Sequence, residues 1–191
     1  LGHAFGPNEE RGVFMTTDGG KTWTEVPDVS YGDPFYRIEF TDNKNGYLFG
    51  GSYSSPLITT ADGGNSWELK TLYAGYGGIS GITKSSTGKL FTAHRGYSGL
   101  GRSINYSVDD GSTWTPLDEL QTEDFYKVDF ITEDVGLIIC QSGHYKTTNK
   151  GMTWKKFDWP KPVYSFHYFD ENNALLSDGY IIYKTTDGGV T

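Results

Sequence analysis

The sequence is short of cysteine, of arginine and of long apolar runs, and each shortage closes off a class of function. The single cysteine, Cys140, rules out an internal disulfide and a cysteine-based metal cluster. It stands in the apolar run Gly136-Leu137-Ile138-Ile139-Cys140 and reads as a buried, inert thiol rather than a nucleophile. Arginine occurs four times, at Arg11, Arg37, Arg95 and Arg102, and the net charge is −8. Affinity for phosphate backbones and anionic lipids comes from Lys and Arg, so no nucleic-acid partner is expected. No run approaches the ~20 apolar residues of a spanning helix, so no membrane insertion is expected either. No basic-then-apolar segment reads as a secretory leader, and the compartment stays open. No helix, linker or low-complexity stretch stands out.

Glycine and aromatic residues are abundant instead. The 191 residues include 26 Gly, 14 Tyr, 11 Phe and 5 Trp. That mixture fits many short strands joined by tight turns, in a chain long enough to bury a substantial core.

One phrase is written five times. It reads Thr16-Thr17-Asp18-Gly19-Gly20-Lys21-Thr22-Trp23 first, then Thr60-Ala61-Asp62-Gly63-Gly64-Asn65-Ser66-Trp67. Next come Ser107-Val108-Asp109-Asp110-Gly111-Ser112-Thr113-Trp114 and Thr147-Thr148-Asn149-Lys150-Gly151-Met152-Thr153-Trp154. The fifth copy is Thr185-Thr186-Asp187-Gly188-Gly189-Val190-Thr191. The acid positions lie 44, 47, 40 and 38 residues apart, a drifting period that marks one supersecondary unit with variable loops.

The second repeat displays the unit. Phe35-Tyr36-Arg37-Ile38-Glu39-Phe40 alternates with period 2, as a strand does. Asp42-Asn43-Lys44-Asn45-Gly46 is turn chemistry, with Asn and Gly suited to positive φ. Tyr47-Leu48-Phe49-Gly50-Gly51 and Pro56-Leu57-Ile58-Thr59-Thr60 are the next strands, and Trp67 opens a fourth. Four antiparallel strands in about 40 residues make a propeller blade. Phe125 to Phe130 and Val163 to Tyr168 align with Phe35 to Phe40, and Gly88 aligns with Gly46.

The expected fold is therefore an all-β propeller of about five repeats, three complete and two partial, in one domain over residues 1–191. Its blades span about 1–27, 33–72, 76–118, 124–159 and 163–191 and contain eighteen strands, lettered a to d from inside to outside. The first repeat lacks strand a and the last lacks strand d. The chain thus reads as part of a larger ring, with a closed five-bladed ring or self-association through the partial blades as alternatives.

The phrase has a structural reading at the c–d turn. Its Asp or Asn accepts backbone N–H bonds, its later Gly takes positive φ, and its Ser or Thr adds a hydroxyl. The Trp supplies apolar surface. A Ca²⁺ reading is weaker, because one carboxylate per turn falls far short of roughly 6–8 oxygen ligands and Asn149 replaces the acid once.

The phrase resembles the Asp-box, or bacterial neuraminidase repeat, of sialidases, other propeller glycoside hydrolases, sortilin-type receptors and photosystem II assembly factors of the Ycf48 type. The repeat bodies, such as Phe40-x5-Gly46-Tyr47-Leu48-Phe49-Gly50 followed by the Thr60 box, look most like the Ycf48-type repeat. The opening Leu1-Gly2-His3-Ala4-Phe5-Gly6-Pro7-Asn8-Glu9-Glu10-Arg11-Gly12-Val13-Phe14 resembles a blade of secreted sortilin-like bacterial proteins. The resemblance implies a β-propeller with its boxes away from the ligand face, and an extracytoplasmic or secreted setting.

Ligands would then meet the b–c loops, residues 7–11, 51–55, 95–101 and 142–143, and the d–a loops, residues 28–33, 71–77, 118–124 and 159–162. Arg95, Tyr97 and Arg102 frame the richest of these. Tyr31, Tyr53, Tyr76 and Trp159 (with Tyr73) stand on neighbouring loops, and the set suits an aromatic-lined pocket for a protein segment or glycan; ordinary exposed loops are the plainer reading. Sialidase chemistry needs three converging arginines and a Tyr–Glu pair, and the family's Arg-Ile-Pro signature is absent. Glu39 and Asp129 each follow a base by two residues, as strand partners lining a channel would. The four histidines, His3, His94, His144 and His167, show no ligand spacing, so neither metal nor cofactor is expected. The expected function is a non-catalytic binding or assembly module. A glycoside hydrolase fragment of the sialidase or xyloglucanase kind, and a sortilin-like peptide-binding domain, are the alternatives.

Overall fold

The computed structural model describes residues 13–26, 35–50, 55–73, 77–96, 102–120, 123–158, 163 and 165–189. These hold seventeen strands in five antiparallel sheets and no helix. The first sheet pairs β1 (Val13–Met15) with β2 (Thr24–Val26). The second orders β3 (Phe35–Phe40), β4 (Gly46–Gly50), β5 (Ser55–Thr60) and β6 (Glu68–Tyr73). The third is β7 (Gly77–Lys84), β8 (Leu90–Gly96), β9 (Ser103–Ser107) and β10 (Thr115–Pro116). The fourth is β11 (Phe125–Phe130), β12 (Gly136–Cys140), β13 (Gly143–Thr147) and β14 (Lys155–Asp158). The fifth is β15 (Ser165–Tyr168), β16 (Ala174–Ser177) and β17 (Ile182–Thr185). This is the all-β propeller the repeats predict, and the strand expected before Val13 lies outside the described residues.

The core lies between neighbouring sheets. Tyr47, Phe49 and Leu57 of the second sheet pack against Ile79, Ile82 and Leu90 of the third. Phe91, Ala93 and Ile104 of the third pack against Phe125, Val128 and Ile138 of the fourth. Leu48 and Ile58 face the first sheet and Val26. Strand b is thus covered on both sides. That is why β4 and β12 are buried along their whole length and read as near-continuous apolar runs. Each fully buried Leu, Ile or Phe contributes about 1.5–3 kcal/mol.

Two turn assignments change on contact with the structure. Neither Asn43, Asn45 nor Gly46 takes positive φ. Asp42 Oδ1 instead accepts the Lys44 and Asn45 N–H groups, each at 2.8 Å, and Asn45 Nδ2 donates to Asp42 Oδ2. Gly46 is needed for clearance: a Cβ there would lie 2.6 Å from the Phe40 ring, as one at Gly136 would lie 2.9 Å from Phe130. Gly88 is not its equivalent. The a–b turns close through Thr41 N to Asn45 O and Ser85 N to Lys89 O, which aligns Gly46 with Leu90. The two-residue error preserved the face of every strand residue, so the period-2 pattern did not reveal it.

In the four copies described in full, the repeated phrase builds one network. Asp62 Oδ1 accepts Thr60 Oγ1 at 2.8 Å and Ser66 N at 2.9 Å, while Oδ2 accepts Ser66 Oγ at 2.6 Å. Thr60 Oγ1 accepts the Gly64 N–H at 2.9 Å. Asp18 and Asp109 repeat the pattern. With Asn149 one bond reverses direction: its Nδ2 donates to Thr153 Oγ1 at 2.9 Å. The later Gly has positive φ as expected, and so does the residue before it, including Asp110 (52°) and Lys150 (61°). That residue's N–H ties the box to the a–b turn of its own sheet, as in Gly63 N to Lys44 O and Lys150 N to Asp134 O. Boxes and a–b turns therefore share one end, and the b–c and d–a connections share the other.

Candidate functional site

At the end opposite the boxes, the third and fourth sheets bring charged side chains together. The β8–β9 ladder pairs His94 with Ser103, so Arg95 and Arg102 are the next residues out on the two strands. Both reach the start of β11. The Arg95 guanidinium stands 5.5 Å from the centre of the Tyr126 ring, a cation–π contact, and Arg95 is exposed. Arg102 Nε pairs with Asp124 Oδ1 at 2.9 Å, and both side chains are largely covered. Among the described residues, Arg95 has no carboxylate within ion-pair distance.

A second group adjoins the first. Gln141 N donates to Asp124 O, which locks the b–c turn of the fourth sheet onto the d–a connection. Glu123 accepts from Ser142 Oγ, from Lys156 Nζ at 2.5 Å and from Tyr145 OH at 3.4 Å. Burial pushes the Glu123 carboxyl up, but its bonds to Lys156 and Ser142 outweigh that and hold it at about 2. The Glu123 bond in turn lifts Lys156 to about 12. Beneath them Cys140 is fully buried, donates to Gly143 O at 3.3 Å, and is pushed by burial to about 11. It is no nucleophile.

The inner strands carry a further charged row. Lys127 Nζ pairs with Asp129 Oδ2 at 2.9 Å, the i to i+2 pairing that the strand pattern predicts. Glu39 of the second sheet joins it, its carboxyl raised by burial and opposed by Lys127 and Arg37. Among the described residues no group of three or more His, Cys, Asp or Glu is placed to hold a metal ion.

Of the ligand residues expected from sequence, Arg95 and Arg102 are brought together. Tyr97, Tyr53, Tyr31, Tyr76 and Trp159 lie outside the described residues. Sequence reasoning missed Tyr126 as the seat of Arg95, and Glu123, Ser142, Tyr145 and Lys156 as one constellation. Its signal is register: Tyr145 pairs with Lys156, and Phe125 pairs with Cys140, so Glu123 and Ser142 flank one corner.

Comparison with known proteins gives the family. A model described as BNR/Asp-box repeat matches residues 14–25. Among curated proteins none matches the chain. Of solved structures, an ancestral GH74 enzyme is 17% identical with a TM-score of 0.65, over 92% of this chain and 28% of that one. The GH74 enzyme of Niastella koreensis is 14% identical with a TM-score of 0.65, over 94% and 33%. A YCF48 bound to a D1 peptide is 16% identical with a TM-score of 0.40, over 92% and 70%. The chain thus spans about a third or less of the GH74 enzymes, and that likeness speaks for the propeller fold alone. The model described as photosynthesis system II assembly factor YCF48 matches residues 21–157, most of the chain, and the chain belongs to that family.

Proposed function

We propose that the chain is a non-catalytic binding module whose loop end, opposite the Asp boxes, holds an anionic protein segment. One observation carries this reading: Arg95 is exposed, seated on Tyr126, and without a carboxylate partner among the described residues. Its neighbour Arg102 is already neutralised by Asp124. A guanidinium on an aromatic platform, with no carboxylate beside it among the described residues, suits a carboxylate of a peptide, which it meets with paired N–H donors. Family membership in an assembly factor supports a protein partner.

The tuning of Glu123 argues against its serving as the general acid of a glycosidase. A glycosidase acid needs a raised pKa so that it holds its proton near neutrality. Glu123 is held at about 2 by Lys156 and Ser142, the opposite tuning.

The test is fluorescence anisotropy of a labelled D1 peptide, with a xyloglucan oligosaccharide as the glycan arm. Arg95→Ala should weaken peptide binding about tenfold, the loss of one charge-assisted contact, with the melting temperature unchanged. Arg102→Ala should lower the melting temperature, because it strands the Asp124 carboxylate. Saturable binding or cleavage of the oligosaccharide, with no peptide binding, would overturn the reading.

A further inference from the structure

In the second, third and fourth sheets, strand c buries the residue three positions before the box, whereas Ile182 at that position of the fifth sheet is exposed. Leu57, Ile104 and His144 are equivalent, pairing with Phe49, Ala93 and Ile139 of strand b. Their exposures are 1%, 0% and 0%. Two are aliphatic, and the third can take up a proton.

The His144 ring is clamped at the junction of the fourth and fifth sheets. One face stacks on Phe157 at 5.0 Å with 12° between the planes. The ring edge meets the fifth box: a Cβ on Gly189 would lie 3.1 Å from His144 Cε1 and 3.4 Å from the Tyr168 hydroxyl. The Gly188 backbone beside the ring favours its protonated form, but less than burial and Lys146 oppose it. Gly188 N in turn donates to Asn172 O at 2.8 Å, so the clamp reaches the a–b turn of the fifth sheet. The other junctions close on apolar side chains. A Cβ on Gly111 would meet Leu57 at 3.2 Å, and one on Gly151 would meet Phe91 at 2.6 Å.

Among the described residues, Lys146, Asp187 and Tyr168 lie nearest the ring in the chain and the turn. Lys146, on the same strand, opposes a second positive charge, and its ammonium donates to the Glu171 backbone carbonyl at 2.9 Å. Asp187, in the same turn as Gly189, accepts from Thr185 Oγ1 at 2.7 Å. Tyr168 is pushed by burial to about 12 and stays neutral in acid.

We propose that this junction is an acid-sensitive latch: a proton on His144 loosens the fifth sheet from the fourth while the junctions closed on Leu57 and Phe91 hold. Burial first, and then Lys146, keep the imidazole at about 4 against its ordinary 6.5. A folded-state value below the unfolded one gives stability that is full above about 6.5 and drains away as the pH falls toward 4. The latch governs what the loop end presents. Its tip between β16 and β17 is fixed by Asp178 Oδ1, which accepts from Tyr180 N and Ile181 N, and Tyr180 there is 98% exposed.

Hydrogen exchange of the whole chain, corrected for intrinsic rates, tests the latch. Between pH 7.5 and pH 5 the β15–β17 amides should lose about 30-fold in protection, the factor that linkage assigns to a fall from 6.5 to 4. Amides of β7–β9 should change far less. His144→Leu, which copies Leu57, should abolish the difference; His144→Phe, which keeps the stack on Phe157, should do the same if the first variant folds poorly. Equal acceleration in either folded variant, or none in the parent, would overturn the proposal. So would a His144 imidazole titrating at pH 6 or above by NMR.

Discussion

The inner strands β3 and β11 carry nearly the same six residues, Phe-Tyr-Arg-Ile-Glu-Phe and Phe-Tyr-Lys-Val-Asp-Phe, and end in different surroundings. Val128 is 1% exposed, and its equivalent Ile38 is 50% exposed. Phe125 is fully buried, whereas Phe40, at the other end of β3, remains 45% exposed. The ladders are alike, down to the same register shift after the first Phe. Strand conformation is thus set locally by alternation and turn chemistry, while burial is set by the neighbouring sheet. Against β11 the third sheet presses closely: a Cβ on Gly81 would lie 3.2 Å from the Lys127 backbone, and Ser80 Oγ bonds to both Ala93 O and Phe125 O. Among the described residues, no inner strand of the first sheet lies against β3.

The largest expected effect separates the two strands directly. Phe125→Ala should cost about 3–5 kcal/mol, as deletion of a fully buried aromatic does. Ile38→Ala should cost less than about 1 kcal/mol, since half of its surface is already in water. Urea unfolding measures both, and equal losses would mean that β3 is covered in solution as β11 is. Ser80→Ala should fall between them at roughly 1–2 kcal/mol, because it removes the hydroxyl that joins two sheets. If it matched Phe125→Ala, a polar staple rather than apolar packing would hold β11.

The fold was legible because its signals are periodic. Five boxes gave the repeat count, alternation gave β3 and its copy β11, and the apolar run after the Asp42 turn gave β4 within a residue. Register was not legible, because a shift of two residues leaves every face unchanged, as the Gly46 and Gly88 pairing shows. The site was legible only in part. Arg95 and Arg102 stood out as rare residues on a Gly-rich loop, but nothing local marks Glu123 as the acid that gathers Ser142, Tyr145 and Lys156. Those three come from the β12–β13 turn, β13 and β14, about 20 to 30 residues away in the chain, and only the pairing of these strands assembles them. His144 hides for another reason. Its role appears only when strand-c positions are read down the repeats, where one histidine follows a leucine and an isoleucine.

The smallest effect extends the comparison to the boxes of the second and fourth sheets, where Asp62 and Asn149 hold the same turn. Bonds from the Ser66 hydroxyl and backbone, and from Thr60, keep the Asp62 carboxyl at about 2, well below its ordinary 3.8. A depressed carboxylate contributes stability that is full above about 4 and is lost as the pH falls toward 2. Asn149 makes the equivalent bonds with nothing to titrate. Asp62→Asn should therefore leave the melting temperature at pH 7 almost unchanged and flatten its decline between pH 4 and pH 2. Asn149→Asp should steepen that decline, because it adds a carboxylate whose bonds fail on protonation. Melting curves across that range decide the matter. A large loss at pH 7 in Asp62→Asn would show that the negative charge, rather than the hydrogen-bonding pattern, fastens the turn.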